Sequence, residues 1–185
     1  IRLIVGMFCA AIIIMIIYFG KGYISEKMSP TIVDLTPYAK QSEKNITDGL
    51  NVELTKSGDW LVYILSWIGE QNRKLEVHAD EDLGVFYLDG RKTGLFVHEK
   101  NYKLYNIQVG MGDKEALKAT TYPWKENDYF VVEEDIDEGK NTTYYYYDKE
   151  KNDCIGITKN DTTNTVEGII YIDNYQFFSR DLKQE

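Results

Sequence analysis

Gly84-Val85-Phe86-Tyr87-Leu88-Asp89-Gly90-Arg91-Lys92-Thr93-Gly94-Leu95-Phe96-Val97-His98 decides the fold class. Two runs rich in β-branched and aromatic residues flank Asp89-Gly90. That dipeptide tolerates the positive φ angles of a tight hairpin turn. The stretch therefore predicts two antiparallel strands. On its N-terminal side, Lys74-Leu75-Glu76-Val77-His78 and Leu50-Asn51-Val52-Glu53-Leu54 alternate apolar and polar residues, the pattern of half-buried strands. Ser57-Gly58-Asp59 is a turn signal. Trp60 to Ile68 is a dense apolar run whose β-branched and aromatic content favours a buried strand over a core helix.

On the C-terminal side, Tyr102 to Val109 alternates again. Gly110-Met111-Gly112 breaks it, and a short helix is expected next. Asp113 and Glu115 suit the positive end of a helix dipole and Lys118 the negative end. Tyr122-Pro123 closes it. Phe130–Val132, Thr142–Tyr147, Cys154–Thr158 and Val166–Ile172 then predict four more strands. The fold class is α+β, mostly an antiparallel sheet with few, short helices. Gly94-Leu95-Phe96-Val97-His98-Glu99-Lys100-Asn101-Tyr102 is echoed by Gly168-Ile169-Ile170-Tyr171-Ile172-Asp173-Asn174-Tyr175 at an offset of about 74 residues. This faint repeat predicts two related units, a first β-rich one over 45–102 and a second α+β one over 103–185.

Upstream of the domain, Leu3 to Gly20 is 18 residues without a charge. As a helix it would be about 27 Å long, close to the hydrocarbon thickness of a bilayer. Ile12, Ile13, Ile14, Ile16 and Ile17 make it apolar all round, and Tyr18, Lys21 and Tyr23 suit the interface. Residues 1–20 are expected to be a transmembrane anchor with the bilayer as partner. The run exceeds the usual apolar length of a cleaved signal peptide and lacks a small-x-small site. Residues 21–44, with Pro30 and Pro37, are expected to be a stalk whose Ile32, Val33 and Leu35 dock onto the domain.

The chain of 185 residues has formal net charge -9, and Arg2 is the sole charged residue before Lys21, so the acid excess lies in the domain. Such a surface is unsuited to nucleic acid, which calls for clustered Lys and Arg. Cys9 lies in the apolar run and Cys154 far downstream, so no disulfide joins them. Asn45, Asn141 and Asn160 head glycosylation sequons, which arise by chance in a chain rich in Asn and Thr.

Ile107-Gln108-Val109-Gly110-Met111-Gly112-Asp113-Lys114-Glu115-Ala116-Leu117 resembles a Gly-Met segment followed by a short acidic helix. That segment opens repeats in extracytoplasmic domains associated with CAP/SCP proteins of Gram-positive bacteria, and in BamE-like outer-membrane assembly lipoproteins. In both, a Gly-x-Pro turn and a three-stranded sheet follow. Pro123 stands near the expected place, but the preceding residues are Thr121-Tyr122, and the first half lacks the Gly-Met start. The resemblance implies a binding or accessory role in the cell envelope and carries over no catalytic residue.

Four constellations merit weighing. His78 and His98 would bind a metal with Asp80 or Glu99 if their strands paired, but partly exposed strand histidines are far commoner. Cys154 has no evident base and suits a small buried thiol. Glu133-Glu134-Asp135-Ile136-Asp137-Glu138-Gly139 lacks the spacing of a calcium loop and suits a solvated hairpin turn. Tyr144, Tyr145, Tyr146 and Tyr147 on a strand point two to each face. One pair would enter the core and the other form an exposed aromatic stripe for a partner or a sugar; cross-strand stiffening is the plainer alternative.

No catalytic residue, cofactor or metal is expected. The expected function is a non-enzymatic, membrane-anchored extracytoplasmic domain that binds an envelope protein or a wall polymer. The alternatives are a sensing ectodomain and a wall-directed hydrolase.

Overall fold

A computed structural model describes residues 31–59, 74–123, 129–136 and 139–174. The chain divides into two compact units, Ile1–Thr31 and Ile32–Glu185, and all the elements below belong to the second. Among the described residues no helix is long and apolar enough to cross a membrane. The apolar segment 3–20 and the Trp60–Ile68 run lie outside them.

In chain order the elements are β1 (Val33–Asp34), a 3-10 turn (Thr36–Tyr38), α1 (Glu43–Leu50), β2 (Thr55–Lys56), β3 (Leu75–Ala79), β4 (Leu83–Leu88), β5 (Arg91–Val97), β6 (Tyr102–Leu104) and β7 (Ile107–Gln108). Then follow α2 (Asp113–Ala119), β8 (Tyr129–Ile136), β9 (Gly139–Asp148), β10 (Asp153–Asn160) and β11 (Thr165–Asp173). The class is α+β, as the alternation predicts. The hairpin forms as read. Asp89 and Gly90 both take positive φ, 52° and 78°, the geometry of a two-residue turn between β4 and β5.

Among the described residues, eight strands form one antiparallel sheet in the order β2-β3-β4-β5-β11-β10-β9-β8. Among the described residues, a helix followed by four strands occurs twice, as α1 with β2–β5 and as α2 with β8–β11. Their last strands meet at the centre, where Gly94 pairs with Ile172 and Val97 with Ile169. The two stretches of the sequence repeat are thus sheet neighbours. Strands of 45–102 and of 103–185 share this sheet.

Period-two alternation sorts side chains onto two faces. Leu83, Val85, Leu95, Val97, Ile155, Ile169 and Tyr171 join a cluster with Ile46 of α1, Ala116 of α2 and Leu104 and Ile107 of the small sheet. Phe86, Phe96, Tyr145, Cys154, Ile170 and Ile172 form the second cluster. The small sheet has the order β1-β6-β7, with β1 parallel to β6.

Three expectations change. Leu50–Leu54 is not a strand. Ser42 caps a helix by accepting from the Asn45 amide, Ile46 and Leu50 lie one turn apart, and Asn51 ends it at φ 54°. The period-two reading began on the helix's last residue. Tyr102–Val109 is two strands, because Tyr105 and Asn106 both take positive φ, 51° and 64°, and turn the chain back. In the expected stalk, residues from Val33 onward are part of the fold: Val33 pairs with Tyr102, and Leu35 and Ala39 are buried, whereas Ile32 stays exposed.

Candidate functional site

The tyrosine run lies on β9, between β10 and β8. Tyr146, with Tyr144 beside it, packs into the cluster on the helix-bearing face, and Tyr145, with Tyr147 beside it, into the other. Tyr145 and Tyr146 are buried, and Tyr144 and Tyr147 are half-buried. Tyr145 sits opposite Gly156, where a Cβ would lie 2.7 Å from its ring. Two exposed apolar residues lie one strand further out. Tyr129 and Val131 of β8 are 46% and 43% exposed and stand opposite Tyr146 and Tyr144. The Tyr129 ring centroid is 5.7 Å from that of Tyr146 and 6.3 Å from that of Tyr144. Burial raises the Tyr146 hydroxyl to about 12.

β8 ends the sheet. Among the described residues its backbone is paired on one side only, with β9. The opposite edge, β2, is two residues long and carries Lys56, a protected edge. β8 has eight residues and a composition split along its length. Tyr129-Phe130-Val131-Val132 is apolar, and Glu133-Glu134-Asp135 is acidic. The acidic run expected as a turn is therefore mostly strand, with Ile136 opposite Gly139.

A second constellation centres on His78, on β3. Its Nδ1 lies 2.8 Å and 3.0 Å from the two carboxylate oxygens of Glu43, in the first turn of α1. Its Nε2 lies 3.1 Å from Glu76 Oε1. The Tyr87 hydroxyl donates a short bond to Glu43, and its ring tilts against the imidazole at 5.2 Å. Lys56 and Lys74 approach Glu76 at 3.2 Å and 3.8 Å. Burial by itself lowers the imidazole's proton affinity, but the bonds and charges of Glu76 and Glu43 outweigh it and raise the pKa. The His78 bond lowers that of Glu76, helped by Lys56. A cavity of about 350 Å³ opens beside the ring, lined by Lys74, Glu76, Tyr87 and Gly90.

His98 does not join this group. β4 lies between their strands, His78 pairs with Val85, and His98 follows β5 with its amide donating to the Asp82 carbonyl. Among the described residues no group of three or more His, Cys, Asp or Glu is placed to hold a metal.

The third constellation is closed. Asp153, at the start of β10, is 1% exposed. It accepts from the Tyr122 hydroxyl at 2.7 Å and the Tyr171 hydroxyl at 2.8 Å, and pairs with Lys40 at 2.9 Å. Burial pushes its pKa up, but the bonds from Lys40, Tyr122 and Tyr171 and the Lys40 charge bring it below the usual range. Burial pushes the adjacent Cys154 thiol up, and the Asp153 charge adds to this. It is a core thiol on the second face. The sequence signal for the two carboxylate clusters was faint: both draw partners from the stretch 38–44, expected as stalk.

No protein-family model and no curated protein matches the chain. The chain is similar in structure to parts of two solved bacterial proteins. One is a cysteine-rich secretory protein from Staphylococcus aureus, with TM-score 0.35 and 9% identity over 63% of this chain and 44% of that one. Another is an extracellular SCP-domain protein from Bacillus anthracis, with TM-score 0.42 and 11% identity over 82% of this chain and 48% of that one. The chain spans less than half the length of either.

Proposed function

We propose that this chain is a membrane-anchored, extracytoplasmic envelope protein, and that its domain is a non-enzymatic module that adds an extended polypeptide to the β8 edge. The carrying observation is that edge: eight residues, paired on one side among the described residues, with Tyr129 and Val131 exposed on one face. Such edges take up a further strand through main-chain hydrogen bonds, with alternate side chains giving specificity. The anchor reading rests on the uncharged run Leu3–Gly20.

The split of β8 supports one kind of partner. A second copy in antiparallel register would set Tyr129-Phe130-Val131-Val132 against Glu133-Glu134-Asp135-Ile136, apolar against charged. A parallel copy would set carboxylate against carboxylate. A partner strand with basic residues beside Glu133–Asp135 and apolar ones beside Tyr129–Val131 avoids both clashes. The chain's acidic balance, -9, favours the same partner.

Amide exchange of the whole chain tests this with a synthetic peptide of three lysines followed by alternating valine and threonine, and its three-glutamate counterpart. The lysine peptide is expected to protect β8 amides and the glutamate peptide to leave them unchanged. Tyr129→Lys with Val131→Lys should abolish the protection. Equal protection by both peptides, or protection away from β8, rejects the reading. Retention by purified cell wall without any response to peptide replaces the polypeptide with a wall polymer.

A further inference from the structure

We propose that Glu43, His78 and Glu76 form a pH-responsive clasp that holds the first turn of α1 on the sheet in mildly acidic to neutral surroundings and loosens as they become alkaline. The inference stands on the geometry of the ring and does not rest on partner binding at β8. Both imidazole nitrogens face carboxylates, Nδ1 at 2.8 Å from Glu43 and Nε2 at 3.1 Å from Glu76. A neutral imidazole carries one N–H, so one nitrogen would turn a lone pair toward a carboxylate. Only the imidazolium satisfies both contacts. The two partners belong to different elements, Glu43 to α1 and Glu76 to β3, so the doubly bonded ring ties helix to sheet.

The surroundings set the range. From α1 comes Glu43, and from β3 and its start Glu76 and Lys74. From β2 comes Lys56, opposite His78 in the strand register, with its ammonium turned to Glu76. From β4 comes Tyr87, whose hydroxyl bonds to Glu43 and whose own pKa rises through burial first and the Glu43 bond second. Lys92 of β5, paired with Tyr87, sends its ammonium to the Ala39 carbonyl at 2.9 Å, just ahead of α1.

A histidine whose folded pKa exceeds its unfolded value contributes stability that is fully present below the unfolded value. That contribution disappears as pH rises through the folded value. His78 is raised from 6.5, so its clasp is lost above that point. Lys92 works the other way and higher. Burial lowers it to about 8, so its charged form is a burden that lifts between there and 10.5. Glu76 is lowered from 4.5, so its share is present above that value and fails in stronger acid. The cavity lined by His78 and Glu76 gives water and protons a route to the ring.

Two readouts on the whole chain decide the matter. One is NMR titration of the His78 ring, assigned by its absence in His78→Gln. The other is amide exchange of Ile46–Leu50, corrected for intrinsic rates, between about pH 5.5 and 9. The ring is expected to titrate above 6.5. Exchange in α1 is expected to quicken about threefold to tenfold across that titration, and His78→Gln should remove the change. Glu43→Gln keeps the hydrogen-bonding atoms without the charge and should return the ring toward 6.5. It supplies the same two readouts if His78→Gln fails to fold. A ring that titrates at or below 6.5, or a pH response of α1 that survives in either variant, overturns the proposal.

Discussion

Two clusters in this domain use the same parts, a carboxylate, a tyrosine hydroxyl and a cation, and differ in their access to water. Asp153 is 1% exposed and is bonded by two tyrosines and Lys40. Glu43 and His78 are 22% and 26% exposed, and His78 borders an open cavity. Excluding water makes each missing bond expensive, so the Asp153 cluster serves structure. Admitting water makes each bond cheap and its protons exchangeable, so the His78 cluster can respond to the medium. Both tie the N-terminal stretch of the domain to the sheet, one through Lys40 and the other through Glu43.

The comparison is broken most directly at its closed end. Asp153→Ala should cost about 3–5 kcal/mol in urea unfolding, because the Tyr171 hydroxyl loses its carboxylate acceptor inside the core and Tyr122 keeps only the Asp153 backbone carbonyl. A cost near that of a surface change would mean that water enters the cluster. Tyr171→Phe, which removes one donor and keeps the ring, should cost about 1.5–3 kcal/mol. At the open end, His78→Gln should cost about 0.5–1 kcal/mol near pH 6, shrinking toward nothing near pH 9. Lys56→Ala, at a largely exposed ammonium, should cost no more than about 0.5 kcal/mol.

The pH dependence of stability sharpens the contrast. Asp153 is lowered from 3.8, so its contribution is present above that value and lost as pH falls through the folded pKa. His78 is raised from 6.5, so its contribution is lost as pH rises. Unfolding curves recorded from acid to about pH 8, where Lys92 begins to titrate, should show the wild type losing stability at both ends. Asp153→Asn should flatten the acid limb and His78→Gln the alkaline one. If either variant flattened the other limb, the two clusters would be coupled.

Legibility tracked the range of the signal. The β4–β5 hairpin was readable because Asp89-Gly90 and the runs beside it are local, as were α2 and the strands from β8 to β11. Helix α1 was missed because two turns holding Gly49 give few apolar positions, and Leu50 matched a period of two as well as one of four. The Tyr105-Asn106 turn was missed because Tyr105 is an unusual residue at positive φ. Packing of its ring near Tyr122 and Tyr171 accompanies that conformation.

The tyrosine run shows the division most clearly. Alternation alone placed Tyr144 and Tyr146 on one face and Tyr145 and Tyr147 on the other. It could not say that β8 would lie outside β9 and leave the exposed aromatic to Tyr129. The sequence by itself determined the antiparallel character, the acidic charge, the apolar run 3–20 and the paired stretches at Gly94 and Gly168, because each is written within a few neighbouring residues. The tertiary structure alone decided that those stretches meet at the sheet's centre and that Lys40 reaches Asp153. It alone set Glu43 beside His78. These contacts join residues 35 to 113 positions apart, and only burying two sheet faces at once brings them within hydrogen-bonding distance.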